Sequence, residues 1–227
     1  MGYPRLIYLL EQIILQGKDQ ITRDFGELAY AQSNRNLPIK FAEKLAEIVT
    51  SKILEKAKKI LARQGIIINN QILVTSANND YLVISILPEK NNLLRSIPFI
   101  SCSIMSAKLN DQLEPINIAA AAIYNPLTGQ FYWSDEEKRA RENFRKIMTS
   151  QVTNINIANN IQLSSANLEL CWLASGKIDY ANIKFQHYLD VAAADFIAKK
   201  AGAISVVDHK ENYIKIAANQ ELFSCLK

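Results

Sequence analysis

Apolar residues recur at helical spacing over the first sixty positions. Leu6, Leu9, Leu10, Ile13 and Ile14 predict a helix that begins beside Pro4 and stops at Gly17. A more polar stretch follows and ends at Pro38. Phe41, Leu45, Ile48, Val49, Ile53, Ala57, Ile60 and Leu61 then mark one face of a long amphipathic helix, closed by Gly65. Its other face carries Lys52, Lys56, Lys58, Lys59 and Arg63.

The period then changes. Ile66–Ile68, Ile72–Thr75 and Tyr81–Leu87 are β-rich runs, with a turn signal at Asn78-Asn79-Asp80. Phe99–Ser106, Ile116–Tyr124 and Gln130–Trp133 continue what reads as an antiparallel meander. Ser134 and Glu137 form a capping box, and acids then precede Arg141, Arg145 and Lys146, which predicts a helix. Strands are expected over Gln151–Ile157, Ile178–Tyr180, Ile204–Val207 and Tyr213–Ile216. Helices are expected over Ala166–Ser175, from Asp190 to Ala201 before Gly202, and over Gln220–Leu226. No repeat and no linker interrupts the 227 residues, so the chain reads as a single unit: 1–133 with the first helices and sheet, and 134–227 as a smaller α/β part.

Composition fits a globular protein: 49% of residues are hydrophobic and 21% charged. A net charge of +4 neither requires nor excludes a nucleic-acid partner. Cys102, Cys171 and Cys225 form no CxxC pair, so zinc and dithiol chemistry lack support and a reducing cytoplasm is the simplest setting. Cys102 and Cys171 lie in apolar runs and read as buried structural thiols. Glu11 and Gln12 break the apolar run near the N-terminus, which reads as a packed helix rather than a membrane span or a secretory signal. His187 and His209 are far apart in sequence and suggest no triad.

Ser165-Ala166-Asn167-Leu168-Glu169-Leu170, continuing to Ala174-Ser175-Gly176-Lys177-Ile178-Asp179, resembles a segment of the inositol monophosphatase family, Gly-Ser-Ala-Ala-Leu-Asp-Leu followed by Ala-Ala-Gly-Arg-Leu-Asp. Leu189-Asp190-Val191-Ala192-Ala193 is similar to its Trp-Asp-(Ile/Val)-Ala-Ala at the same offset, and Ala201-Gly202-Ala203 to its Ala-Gly-Gly. Ile97-Pro98-Phe99 with Ser103-Ile104, and Tyr124-Asn125-Pro126 with Gln130-Phe131, match further motifs. The likeness is to the bacterial extragenic-suppressor branch. It implies an α+β fold, the layered α/β/α/β/α sandwich of the inositol monophosphatase and sugar phosphatase type. It also implies magnesium-dependent hydrolysis of phosphate monoesters.

That chemistry needs several carboxylates around Mg²⁺. The family's Asp-Pro-(Ile/Leu)-Asp-Gly-Thr motif falls here on Ser85-Ile86-Leu87-Pro88-Glu89-Lys90, and its Glu-Glu pair on Asn69-Asn70. Asp190 alone matches a family metal ligand, and Ser164 and Ser165 match the substrate side. A shifted register could recruit Glu89 or Asp80. Read without the family, Asp190 is a helix N-cap, Glu169 a polar-face or buried paired residue, Asp179 structural, and Ser164-Ser165 a turn. Lys90 and Arg95 could receive an anion, although a solvated loop accounts for them. The segment from Ser134 to Ser164 is shorter than the family's and lacks part of its substrate-side wall.

The leading expectation is a catalytically degenerate family member that binds or interacts, as a homodimer, and uses Mg²⁺ only if the family activity is retained. One alternative is a working Mg²⁺-dependent phosphatase of inositol or sugar phosphates. The other is a partner of the transcription or RNA machinery, through Lys52, Lys56, Lys59 and Arg63; no membrane partner is expected.

Overall fold

A computed structural model describes residues 4–31, 39–137 and 140–226. Pro38 and part of the predicted helix after Ser134 lie outside them. Helix α1 (Arg5–Ile14) starts after Pro4 and buries Ile7, Leu10, Ile13 and Ile14. Gly17 does not stop the chain. It sits in a 3-10 turn, Leu15–Gly17, that leads straight into α2 (Lys18–Ala31). A side chain at Gly17 would bring its Cβ to 2.6 Å from Val49 Cγ1, so the glycine serves close helix approach.

The polar composition of α2 hid a helix whose inner polar groups are paired. Gln20 Nε2 donates to both oxygens of buried Asp24 at 3.1 and 2.9 Å, and Lys52 Nζ donates to Gln20 Oε1 at 3.1 Å. Helix α3 (Ile39–Ile60) buries Leu45, Val49, Ile53 and Ala57, as its apolar stripe requires.

An eight-stranded sheet follows: β1 (Gly65–Ile68), β2 (Gln71–Val74), β3 (Asp80–Ile86), β4 (Cys102–Leu109), β5 (Pro115–Tyr124), β6 (Phe131–Asp135), β7 (Arg141–Glu142) and β8 (Arg145–Lys146). Their order is β2-β1-β3-β4-β5-β6-β7-β8. The expected meander is corrected at its start: β1 and β3 run parallel, with β2 folded back on the outer edge. Leu82, Ile84 and Ile86 of β3 face α1–α3, whereas Tyr81 and Val83 face the opposite core. Both sheet faces are therefore covered, and β3 reads as a continuous apolar run.

The helix predicted after Ser134 is a hairpin instead. Trp133 Nε1 donates to the Asn143 carbonyl at 2.6 Å, and the Arg141 guanidinium lies 5.7 Å from the Trp133 ring centre. The segment had charge order suited to a helix but no apolar stripe to bury; Phe144 is exposed. Capping and dipole effects of about 1 kcal/mol each cannot hold a helix without packing.

The second face carries α5 (Ala166–Ala174) and α6 (Ala192–Ala201). Beyond them lies a three-stranded antiparallel sheet ordered β10-β11-β9, made of β9 (Tyr180–Lys184), β10 (Ile204–Asp208) and β11 (Tyr213–Ala217). Helix α7 (Gln220–Cys225) packs Leu222 against Ala217 and Ala218. The layers run helix, sheet, helix, sheet, helix, the α/β/α/β/α sandwich that the family resemblance implies. The strand placed at Ile178–Tyr180 begins at Tyr180, and Gln151–Ile157 forms no strand. Cys102 and Cys171 are buried and Cys225 exposed, all as free thiols. No helix among the described residues is long and apolar enough to cross a membrane.

Candidate functional site

Parallel pairing brings the C-terminal ends of β1 and β3 to the same sheet edge. Asn69 and Asn70 fill the two-residue turn from β1 to β2, with φ of 48° and 64°. Such hairpin turns need left-handed backbone at both positions, and asparagine tolerates it better than most residues. Asn69 also prolongs the ladder: its N–H donates to the Ile84 carbonyl at 2.9 Å, and its Oδ1 accepts from Ile86 N–H at 2.7 Å.

Asn70 reaches across the edge. Its Nδ2 donates to Asp190 Oδ1 and Oδ2 at 3.0 and 3.1 Å. Ser85 Oγ donates to Asp190 Oδ1 at 3.3 Å. Asp190 ends a 3-10 turn, Tyr188–Asp190, ahead of α6. It caps nothing: Val191 is the N-cap of α6, and no side chain there makes a capping bond. Burial pushes the Asp190 carboxyl up, against the bonds from Asn70 and Ser85 and the nearby His187, which pull it down.

The chain leaving β3 turns sharply at Leu87, a buried residue with φ of 49°. A bulky residue in that region is strained. Two residues on, Glu89 points inward and is nearly buried. Its carboxylate accepts from Ser101 N–H at 2.9 Å, from Ser101 Oγ at 2.6 Å, and from Ser165 Oγ. Burial dominates and raises its pKa; the two serines oppose the shift. Glu169 of α5 is likewise raised by burial and accepts from Leu163 N–H at 2.7 Å. Ser164 has φ of 53°, and its carbonyl accepts from Asn92 Nδ2 at 3.2 Å.

Glu89, Glu169, Ser164 and Asp190 wall a cleft of about 730 Å³, whereas Asn69, Asn70 and Ser85 lie outside its lining. The residues singled out from sequence, Asp190, Ser164, Ser165, Lys90 and Arg95, all line it. Asp80 does not; it opens β3 at the end remote from Ile86. Asp179 is buried elsewhere, where its carboxylate accepts from Asn159 N–H at 2.6 Å. Asn182 and Lys184 also line the cleft. They were missed because β9 was placed too early, so their shared face was not visible. The Glu89–Ser165 contact joins positions 76 apart, and no local pattern announces it.

The donor set does not fit a pair of magnesium ions. Mg²⁺ wants near-octahedral oxygen ligands, chiefly carboxylates and water. Among the described residues no three His, Cys, Asp or Glu side chains converge to hold a metal. Asp190 is engaged by an amide and a hydroxyl, Glu89 is turned to two serines, and Lys90, Arg95 and Lys184 add positive charge to the same cleft.

No family model matches the chain, and no curated protein matches it either. Solved structures do. The extragenic suppressor protein suhB of Bartonella henselae superposes with a TM-score of 0.83 at 17% identity, covering 98% of each chain. An extragenic suppressor from Pyrococcus furiosus gives 0.75 at 21%, again over 98% of each. Inositol monophosphatase II of Staphylococcus aureus gives 0.74 at 12%, over 97% of this chain and 93% of its own. The chain thus has the fold shared by solved inositol monophosphatases and extragenic suppressor proteins along almost its whole length.

Proposed function

We propose that this chain is a non-hydrolytic relative of the inositol monophosphatases, one that keeps the family cleft for binding and does not cleave phosphate esters. One observation carries the reading. The Asp190 carboxylate, matched to a family metal ligand, is hydrogen bonded by the Asn70 amide and the Ser85 hydroxyl, at positions where the family's motifs place carboxylates. Hydrolysis through bound metal needs a lowered pKa for the attacking water and a neutralised leaving oxygen. An amide, a hydroxyl and a lone carboxylate supply neither.

The opposite reading, a working Mg²⁺-dependent phosphatase, makes a direct prediction. Purified protein would release phosphate from inositol 1-phosphate with Mg²⁺, and Asp190→Asn would abolish it. We expect no Mg²⁺-dependent release; turnover that requires Asp190 would reverse the proposal. Within the basic face of α3, Lys52 is bonded to Gln20 and Lys59 to Glu55 at 2.6 Å. Those contacts favour a helix surface over an RNA-binding strip.

A further inference from the structure

Three cations from two separate segments line the cleft. Lys90 opens the short helix α4 (Lys90–Leu94), Arg95 is its C-cap, and Lys184 ends β9. All three are exposed. The ion pairs among the described residues use other cations: Arg23, Lys59, Lys177, Lys199 and His209. Asn182 shares the exposed face of β9 with Lys184, since strand residues two apart point the same way.

The cleft's carboxylates do not answer these charges. Glu89 is bonded to Ser101 and Ser165, Glu169 to the Leu163 N–H, and Asp190 to Asn70 and Ser85. Positive charge is left facing a concave polar space, where the field is focused. A second feature also points to a ligand. Asn167 lines the cleft, is 1% exposed, and its Oδ1 has no hydrogen-bond partner. A buried acceptor without a donor costs free energy that an incoming hydroxyl or N–H recovers.

We propose that the cleft takes a small oxyanion directly on Lys90, Arg95 and Lys184, with no divalent cation between protein and ligand, and that the ligand also carries a hydroxyl or amino donor for Asn167. This rests on the non-hydrolytic reading above and names what the cleft holds. Arg95 supplies a planar fork suited to phosphate or carboxylate; the lysines supply point charges.

Calorimetry on the full chain with inorganic phosphate in EDTA tests it. Binding is expected without metal. Lys184→Ala and Arg95→Ala should each weaken it about tenfold, the scale of one charge-assisted hydrogen bond. Both residues are exposed, so the variants should fold, which circular dichroism verifies. Lys58→Ala, on the exposed face of α3, should change nothing. Glycerol 3-phosphate should bind more tightly than phosphate; equal affinity would remove the role given to Asn167. Absence of binding at millimolar phosphate, or an equal loss from Lys58→Ala, overturns the inference and leaves the non-hydrolytic reading intact. Binding that appears only with Mg²⁺ and vanishes in Asp190→Asn overturns both.

Discussion

Asn70 and Asp190 are 120 residues apart in the chain, yet the Asn70 amide spans both carboxylate oxygens of Asp190 at 3.0 and 3.1 Å. That contact ties the edge of the large sheet to the entry of α6. It also occupies the carboxylate that a metal would need.

Introducing carboxylates beside Asp190 should introduce metal binding. In Asn70→Glu with Ser85→Asp, three carboxylates would crowd one corner, and in EDTA the variant should be less stable than the parent. The glutamate at residue 70 also enters a left-handed position, at a cost of about 1–2 kcal/mol. Mg²⁺ at a hundredfold excess over Kd should then return about 2.7 kcal/mol, or roughly 5–10 °C in Tm. The parent should show no such shift. A thermal scan with and without Mg²⁺ checks both, and an equal response from the parent would contradict the donor-set argument.

The turn itself makes a second prediction. Asn69→Ala strips the acceptor from Ile86 N–H and places alanine at φ of 48°. Unfolding in urea should show a loss of about 2–4 kcal/mol. Asn70→Gly keeps the backbone comfortable and loses only the bond to Asp190, so it should cost about 1 kcal/mol. Equal losses would mean that the turn geometry is not what selects asparagine.

These two residues also show how far the sequence could be read. The apolar periods of α1 and α3 and the β-rich runs located most of the large sheet, because packing faces leave a period in the chain. Asn69-Asn70, Ser85 and Asp190 were matched to one site from motif spacing, and the structure brings Asn70, Ser85 and Asp190 together. The hairpin role of Asn69-Asn70 was missed, although Asn-Asn between two apolar runs is itself a turn signal. Helix α2 was missed because its buried Gln20 and Asp24 satisfy each other, which no hydrophobic period records. The hairpin of β7 and β8 was misread because local cap and dipole signals outweighed the absence of an apolar face. Glu89, named with Asp80 as a residue a shifted register could recruit, does line the cleft, whereas Lys184 entered it through long-range register, which a single sequence does not encode locally.

Gly65 is a packing requirement. A Cβ there would sit 2.4 and 2.5 Å from two Tyr81 ring atoms on the neighbouring parallel strand. Gly65→Ala should lower stability by about 1–3 kcal/mol, measured by urea unfolding. Pairing it with Tyr81→Leu should recover part of the loss. A double variant no better than the sum of the two singles would place the clash elsewhere.

Thiol accessibility offers a direct check on the core. Burial raises Cys102 to about 12 and Cys171 well above its usual value, whereas Cys225 is exposed. A thiol-reactive dye should label one cysteine per folded chain and three per denatured chain, since the thiolate is the reacting form. Fast labelling of two in the folded protein would mean that one of the two sheet faces opens.

Glu89 sets a pH dependence whose sign is fixed by its environment. Burial raises its pKa above the usual 4.5, so the folded protein holds this proton more tightly than the unfolded chain does. Its contribution is fullest below about 4.5 and fades as the pH climbs through the raised folded value. Asp190 and Glu169 act in the same sense. Glu89→Gln removes one such group but sets an amide N–H₂ against donors from Ser101 and Ser165, at a cost of about 1–3 kcal/mol. The variant should therefore be less stable than the parent at pH 4.5, and the gap should narrow as pH rises, because only the parent loses the Glu89 contribution. Tm measured from pH 4.5 to 8 follows the two curves. Parallel curves would mean that Glu89 is ionised throughout, with its three hydrogen bonds outweighing the loss of water around the charge.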